Sequence, residues 1–228
     1  MMEISILFFG LLMGMRHATE PDHLAAVLTL SSRNNSLKQS IWHGINWGAG
    51  HTLTLGLVGG VVMAFGKKIP IHFAQYLEMI VGVMLILLSV DVLRRLFNNE
   101  GRLVMPQNIS QHHHASIKDS GAAFFWPSVK SRISPRALVI GMVHGLAGSA
   151  ALVILSLDKA GSVGLGLVYI LIFGIGSVLG MGVLSLIIAM PVYLSSRWNY
   201  TYNTILGVSG LISCGMGVSI IHHIASSL

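Results

Sequence analysis

Charged residues are scarce in this sequence, and their scarcity indicates its class. Asp, Glu, Lys and Arg make up 10% of the 228 residues, whereas soluble domains carry about 25%. The mean hydropathy is +0.73, and apolar runs close to the roughly 20 residues that cross a bilayer recur along the chain. The composition therefore excludes a soluble globular domain and predicts an all-α, polytopic membrane protein.

Other absences narrow the range of functions. The single cysteine, Cys214, excludes a disulfide framework. The apolar runs contain neither an H-E-x-x-H motif nor an ATP-binding phosphate loop, so we predict no enzyme and no prosthetic group. The net charge of +6 comes without a basic patch interleaved with aromatic residues, so we expect no nucleic-acid partner. Because the N-terminus lacks the features of a cleaved signal peptide, we expect the first apolar run to stay in the mature protein.

The apolar runs predict six transmembrane helices, of which the first is interrupted by a charged cluster. They are Ile4–Leu30, Ile45–Phe65, Tyr76–Phe97, Arg136–Leu157, Ser162–Val192 and Thr204–Ile224. A polar loop, residues 98–134, separates the third from the fourth. It contains His112, His113 and His114, which form either a metal-buffering tract or part of an ordinary polar linker.

The distribution of basic residues predicts the orientation of the chain in the cytoplasmic membrane. With the N-terminus outside, the cytoplasmic loops hold most of the Lys and Arg, as the positive-inside rule requires. These residues are Arg33, Lys38, Arg94, Arg95, Arg102, Lys118, Lys130, Arg132, Arg136 and Arg197. Lys67, Lys68 and Lys159 fall outside. We therefore expect both termini to lie outside.

An internal repeat supports the count of six spans. Residues 11–17 resemble residues 138–144 at an offset of 127, and residues 48–56 resemble residues 174–182 at an offset of 126. Because each copy holds three spans, an odd number, the second copy is predicted to be inverted in the membrane. The predicted organisation is a first three-helix repeat at 1–97, the cytoplasmic loop at 98–134, and a second, inverted repeat at 135–228. Such repeats are typical of secondary transporters.

The charged cluster in the first span is the strongest functional signal. Residues 16–24 read R-H-A-T-E-P-D-H-L, and charges held at bilayer depth cost a few kcal/mol or more each. Pro21 disfavours helix at the preceding residue, so we expect one half-helix to end near His17 and another to begin near Pro21. His17, Asp22 and His23 are predicted to bind a divalent metal ion. Arg16 and Glu20, nearby and accessory, are predicted to form an ion pair.

Three further histidines lie in the spans or beside them. His51 lies deep in the second span and is predicted to be a ligand or a gate. His144, the repeat counterpart of His17, is either a ligand or a packing or gating residue. His43 lies near the start of the second span, where it could serve a cytoplasmic entrance.

Three of these stretches resemble a known family. Residues 16–24 resemble the signature of the nickel/cobalt transporter family, and Gly50-His51-Thr52 resembles its second histidine motif. Residues 142–150 are similar to the six-span, UreH-like branch. The resemblance implies transport of Ni²⁺ or Co²⁺ across the cytoplasmic membrane, with the matching histidines and Asp22 handling the metal. Glu20 and Pro21 depart from the signature and resemble nickel/cobalt efflux proteins, so both directions of transport stay open.

We therefore predict a secondary membrane transporter for a divalent transition metal, Ni²⁺ first and Co²⁺ second. The alternatives are a membrane metalloenzyme and a haem- or metal-binding accessory protein, the haem being held by His51 and His144. The expected partners are the metal ion as substrate, the lipid bilayer, and either a second copy of the chain or nickel-enzyme maturation proteins.

Overall fold

The structure, a computed structural model, describes residues 2–31, 36–65, 70–97, 133–146, 163–195 and 199–227. Within these ranges there are seven helices and no strand, so the all-helical class is confirmed. The helices are α1 (Met2–His17), α2 (Pro21–Ser31), α3 (Leu37–Phe65), α4 (Ile71–Phe97), α5 (135–146), α6 (Val163–Ser195) and α7 (Asn199–Ala225). Three described stretches are long and apolar enough to cross a bilayer, namely Ile71–Arg94, Gly164–Pro191 and Asn203–Ala225. The chain is therefore a polytopic helical membrane protein.

The predicted break in the first span is present. α1 ends at His17 and α2 begins at Pro21. Between them, the Thr19 N–H donates to the carbonyl of Arg16 over 2.8 Å, which turns the chain. The carbonyl of Glu20 accepts the Leu24 N–H over 3.0 Å and so opens α2. Pro21 stands at the first helical position, where the N–H that it lacks would have no partner within the helix.

Glycines bring the backbones of neighbouring helices into direct contact. A Cβ added at Gly14 of α1 would overlap the carbonyl oxygen of Phe173 in α6. A Cβ added at Gly50 of α3 would overlap the carbonyl oxygen of Leu138 in α5. Only glycine permits this approach, as is common between membrane helices.

The order of these contacts gives the helix directions. In α1 and α6, Gly10 faces Tyr169 and Gly14 faces Phe173, so the two helices run parallel. In α3 and α5, Trp47 faces Gly141 and His51 faces Gly145, so these helices are also parallel.

The remaining pairs run in opposite directions. Gly48 of α3 faces Val178 of α6, and Thr52 faces Gly174, so α3 and α6 are antiparallel. α1 must therefore run opposite to α5. Gly82 of α4 packs on Gly217 of α7 in a second antiparallel pair.

Apolar side chains cover the outside of the bundle as well as its core. Leu87 of α4 and Leu211 of α7 are 65% and 66% exposed. In water such a surface would be unusual, whereas in a bilayer it faces lipid. The core around Ala18, Trp47 and Met181 is completely buried or nearly so. The centre of the bundle is therefore separated from the bilayer by packed side chains.

The close packing of α3 on α5 predicts different effects for two substitutions in α3. Gly50→Ala should lower the free energy of unfolding by at least about 1–3 kcal/mol, because the new methyl group overlaps the backbone of Leu138. Gly56→Ala is the matched control, since a Cβ there meets nothing within 4 Å, and it should be neutral or slightly stabilising. Thermal unfolding of the purified variants in detergent measures both effects. Equal unfolding temperatures would contradict the close packing of α3 on α5.

Candidate metal centre

Four helices bring five ionisable side chains to one place. His17 is the last residue of α1, Asp22 and His23 lie in the first turn of α2, His51 lies in α3, and His144 lies in α5. We call this set the histidine cluster. His17 is 7% exposed, His23 1%, His51 0% and His144 2%. The helix break supplies three of the five side chains, because it places the end of one half-helix beside the start of the next.

Asp22 joins two of the histidines. Its Oδ1 lies 3.0 Å from Nδ1 of His23 and accepts the backbone N–H of the same residue over 2.9 Å. Its Oδ2 lies 3.0 Å from Nε2 of His144. Both carboxylate oxygens are therefore engaged, and α2 is connected to α5 through this side chain.

His17 has a partner on each side of its ring. Nδ1 lies 2.9 Å from Oε1 of Glu20, and Nε2 lies 3.2 Å from Nε2 of His51. A neutral His17 that donates its proton to Glu20 presents a lone pair at Nε2. The 3.2 Å between the two Nε2 atoms falls within the separation of about 3.0–3.4 Å between neighbouring nitrogens on one ion with metal–nitrogen bonds of about 2.1 Å.

Three buried imidazole nitrogens in the cluster have no hydrogen-bond partner. They are Nε2 of His23, Nδ1 of His51 and Nδ1 of His144. In His23 and His144 the opposite nitrogen faces Asp22, so a neutral ring that donates to the carboxylate leaves a lone pair on the unpartnered nitrogen. A buried polar atom without a partner is unfavourable. A bound cation would satisfy these lone pairs, so the donor set fits a metal ion.

The five side chains form two overlapping groups of possible ligands. One group is His17, His23 and His51, and the other is Asp22, His23 and His144. Within each group the candidate ligand atoms all lie within 4.8 Å of one another. His23 belongs to both groups. Small side-chain movements would bring either group to coordination distance.

Two aromatic rings line the cluster. The ring of Trp47 stacks on His23 with a centroid distance of 5.6 Å and an interplanar angle of 24°, and meets the edge of His144. The ring of Phe173 lies 5.4 Å from that of His17. These rings hold the imidazoles in place and exclude water from two sides of the cluster.

The structure brings together the three residues predicted to bind metal, His17, Asp22 and His23, and the two with an alternative role, His51 and His144. The predicted ion pair between Arg16 and Glu20 is wrong. The turn at 18–20 directs Glu20 to His17, three residues earlier, while Arg16 is exposed.

Of the accessory histidines, His43 is described by the structure and is not part of the cluster. His43 donates from Nδ1 to the carbonyl of Gln39 over 2.9 Å, near the start of α3. It lies eight residues before His51. His112, His113 and His114 lie outside the described residues.

Two lining residues, Trp47 and Phe173, were not predicted as part of the site. One signal for Trp47 is its spacing, because it precedes His51 by four residues and so shares its helix face. Phe173 likewise precedes Ser177 by four residues. Trp47 and Phe173 are 126 positions apart, which is the offset of the repeat, so the repeat is the signal for Phe173.

Comparison with known proteins gives a family and a relative. The family model described as the cytochrome c biogenesis protein transmembrane region matches residues 5–219. The chain belongs to this family. A member of the cytochrome c biogenesis transmembrane-region family is expected to be embedded in the membrane, in agreement with the helices described above. No solved structure matches the chain.

The relative is the urease accessory protein UreH of Bacillus sp. (strain TB-90). It is 34% identical over 225 residues, which cover 97% of this chain and 92% of the relative. The aligned part of the chain includes the positions of the histidine cluster. The predicted resemblance to a UreH-like branch is thereby supported over nearly the full length of the chain.

The carboxylate of Asp22 and that of Glu20, which contacts His17, should differ in their effect on stability. Asp22→Ala should lower the free energy of unfolding by about 2–4 kcal/mol in metal-free buffer, because buried nitrogens of His23 and His144 lose their acceptor. Glu20→Ala should cost about 1 kcal/mol or less, because the side chain of Glu20 is 52% exposed. Thermal unfolding in a chelator measures both, and a wild-type transition for Asp22→Ala would contradict the bridging role of Asp22.

Proposed function

We propose that this protein is a secondary transporter, a permease, for a divalent transition metal ion, with Ni²⁺ as the first substrate and Co²⁺ as the second. One observation carries the proposal. Four buried imidazoles and one carboxylate converge at a helix break inside a polytopic membrane protein. Ionisable groups at such depth are expensive and typically mark ion pathways.

The chemistry of the donors narrows the choice of ion. Imidazole ligands suit Ni²⁺, Co²⁺ and Zn²⁺, whereas Mg²⁺ and Ca²⁺ prefer oxygen. The resemblance of residues 16–24 to the nickel/cobalt transporter signature favours the first two ions. The similarity to a urease accessory protein supports nickel, with nickel-enzyme maturation proteins as downstream partners.

The proposed architecture is six spans in two inverted copies, residues 1–97 and 135–228, joined by the loop at 98–134. The opposite directions of α1 and α5 support the inversion. Matched contacts also support the inversion. Gly14 packs on Phe173, and Gly141 packs on Trp47. Gly141 is the repeat counterpart of Gly14, and Trp47 is that of Phe173. Gly176 on Leu11 likewise matches Gly50 on Leu138. Inverted copies of this kind provide alternating access by rocking against each other.

In the proposed mechanism, the imidazoles replace part of the water shell of the ion at the helix break. His17, His23 and His51 come from the first copy and His144 from the second, so movement of one copy against the other changes the set of donors. The sequence contains no ATP-binding motif, and the driving force in this mechanism is an ion gradient, the membrane potential or a partner protein. For a divalent ion the potential contributes about 4.6 kcal/mol per 100 mV.

Haem binding, which the family description raises, fits this site less well. The rings of His51 and His144 lie 6.1 Å apart, which would suit two axial ligands. However, the ring centroid of His23 lies 4.1 Å from that of His144 and 5.4 Å from that of His51. The ring of Trp47 stacks on His23. These side chains occupy the space that a porphyrin would need.

Metal flux in proteoliposomes tests the transporter. The wild type should move Ni²⁺ and Co²⁺ in preference to Mn²⁺ and Mg²⁺. His17→Ala and Asp22→Asn should each reduce Ni²⁺ flux at least tenfold, because each removes a donor or its support. His43→Ala is the control in α3 and should retain most of the flux, since His43 bonds only locally, to Gln39. Absence of flux from the wild type, or equal loss in all three variants, would contradict the proposal.

The proposed orientation places both termini outside the cytoplasmic membrane, and cysteine labelling tests it. After Cys214→Ser, a cysteine at Ser226 should react in intact cells with a membrane-impermeant maleimide, because Ser226 follows α7 and is exposed. A cysteine at Gln39, at the start of α3, should react only after the membrane is permeabilised. The reverse pattern would show the opposite orientation.

A further inference from the structure

The two groups of donors share His23 but have no other residue in common. We propose that they are two successive positions for one metal ion, which passes from the first to the second by exchanging its ligands around His23. The first position is formed by His17, His23 and His51, and the second by Asp22, His23 and His144. This inference rests on the proposed function and describes the path of the ion within the cluster.

The geometry separates the two positions. An ion with metal–nitrogen bonds of about 2.1 Å holds its ligand atoms no more than about 4.2 Å apart. Atoms of each group lie within 4.8 Å of one another, but His51 and His144 fall in different groups. Because neither group contains both His51 and His144, one ion takes one group or the other.

His23 also limits the cluster to one ion at a time. A neutral imidazole carries a proton on one nitrogen and a lone pair on the other. With its Nδ1 donating to Asp22, its buried Nε2 is free for an ion in the first position. A neutral His23 thus offers one lone pair, which serves one ion at a time.

The two positions differ in chemistry. The first offers three imidazoles, so it selects ions that favour nitrogen. The second offers two imidazoles and the carboxylate of Asp22, whose oxygens contact His23 and His144. The first position therefore determines which metal ion is bound. The negative charge of Asp22 then attracts that ion to the second position.

The positions also differ in how they relate to the two copies. All three residues of the first position lie in the first copy, on α1, α2 and α3. The second position includes His144 on α5, which belongs to the second copy. Rocking of the copies would consequently alter the second position and leave the first intact. The second position is the one that alternating access opens and closes.

Two variants separate binding from transfer. Co²⁺ is titrated into the purified protein in nanodiscs and followed by its ligand-field absorption, and Co²⁺ flux is measured in proteoliposomes. We expect the wild type to bind one Co²⁺ per chain. His51→Ala should weaken binding more than tenfold and reduce flux. His144→Ala should bind Co²⁺ within threefold of the wild-type affinity and reduce flux at least tenfold, and His23→Ala should lose both activities.

Controls keep the outcomes distinct. His144→Asn repeats the test with a polar side chain if alanine destabilises α5, and thermal unfolding reports which variants are folded. Equal weakening of binding in folded His51 and His144 variants would overturn the two-position path and leave the transporter standing. Two Co²⁺ ions bound per wild-type chain would also overturn it. A wild type that neither binds nor moves Co²⁺ or Ni²⁺ would refute both the path and the proposed function.

Discussion

The carboxylate of Asp22 is the contact on which the arrangement of the site depends. It lies in the first turn of α2 and holds one histidine of its own helix and one of α5. A carboxylate in this environment is tolerable only because both oxygens accept hydrogen bonds. The bonds fix the orientation of the two imidazoles and direct their other nitrogens away from Asp22. The helix break places Asp22 at the start of α2, and the packing of α5 brings His144 within hydrogen-bond distance of it.

Backbone-to-backbone packing makes such a cluster feasible. Side chains as short as histidine can meet from four helices only where the helix axes come close together. Gly50 and Gly141 allow this between α3 and α5, and Gly14 and Gly176 allow it between α1 and α6. In a bilayer, close packing also supplies much of the attraction between helices, since lipid is as apolar as the side chains. The same glycines therefore support both the fold and the site.

The sequence predicted the parts of the site that local rules control. Pro21 indicates the break, and the cost of charge in a membrane indicates that His17, Asp22 and His23 act together. The partner of Glu20 was predicted wrongly, because the path of the turn at 18–20 decides whether it reaches Arg16 or His17. The roles of Trp47 and Phe173 depend on the packing between helices, which no single stretch of sequence contains.

The matched glycine contacts have an energetic consequence. Because α1 packs on α6 as α3 packs on α5, residue for residue, separating either pair breaks nearly the same backbone interface. The free energy needed to separate α1 from α6 then differs from that needed to separate α3 from α5 mainly through positions at which the matched residues are of different types. The repeat counterpart of Trp47 is Phe173, and that of His51 is Ser177. The buried hydroxyl of Ser177 has no hydrogen-bond partner. In the proposed transporter, a few unmatched side chains rather than the helices themselves would therefore decide which face of the membrane the site opens to at rest.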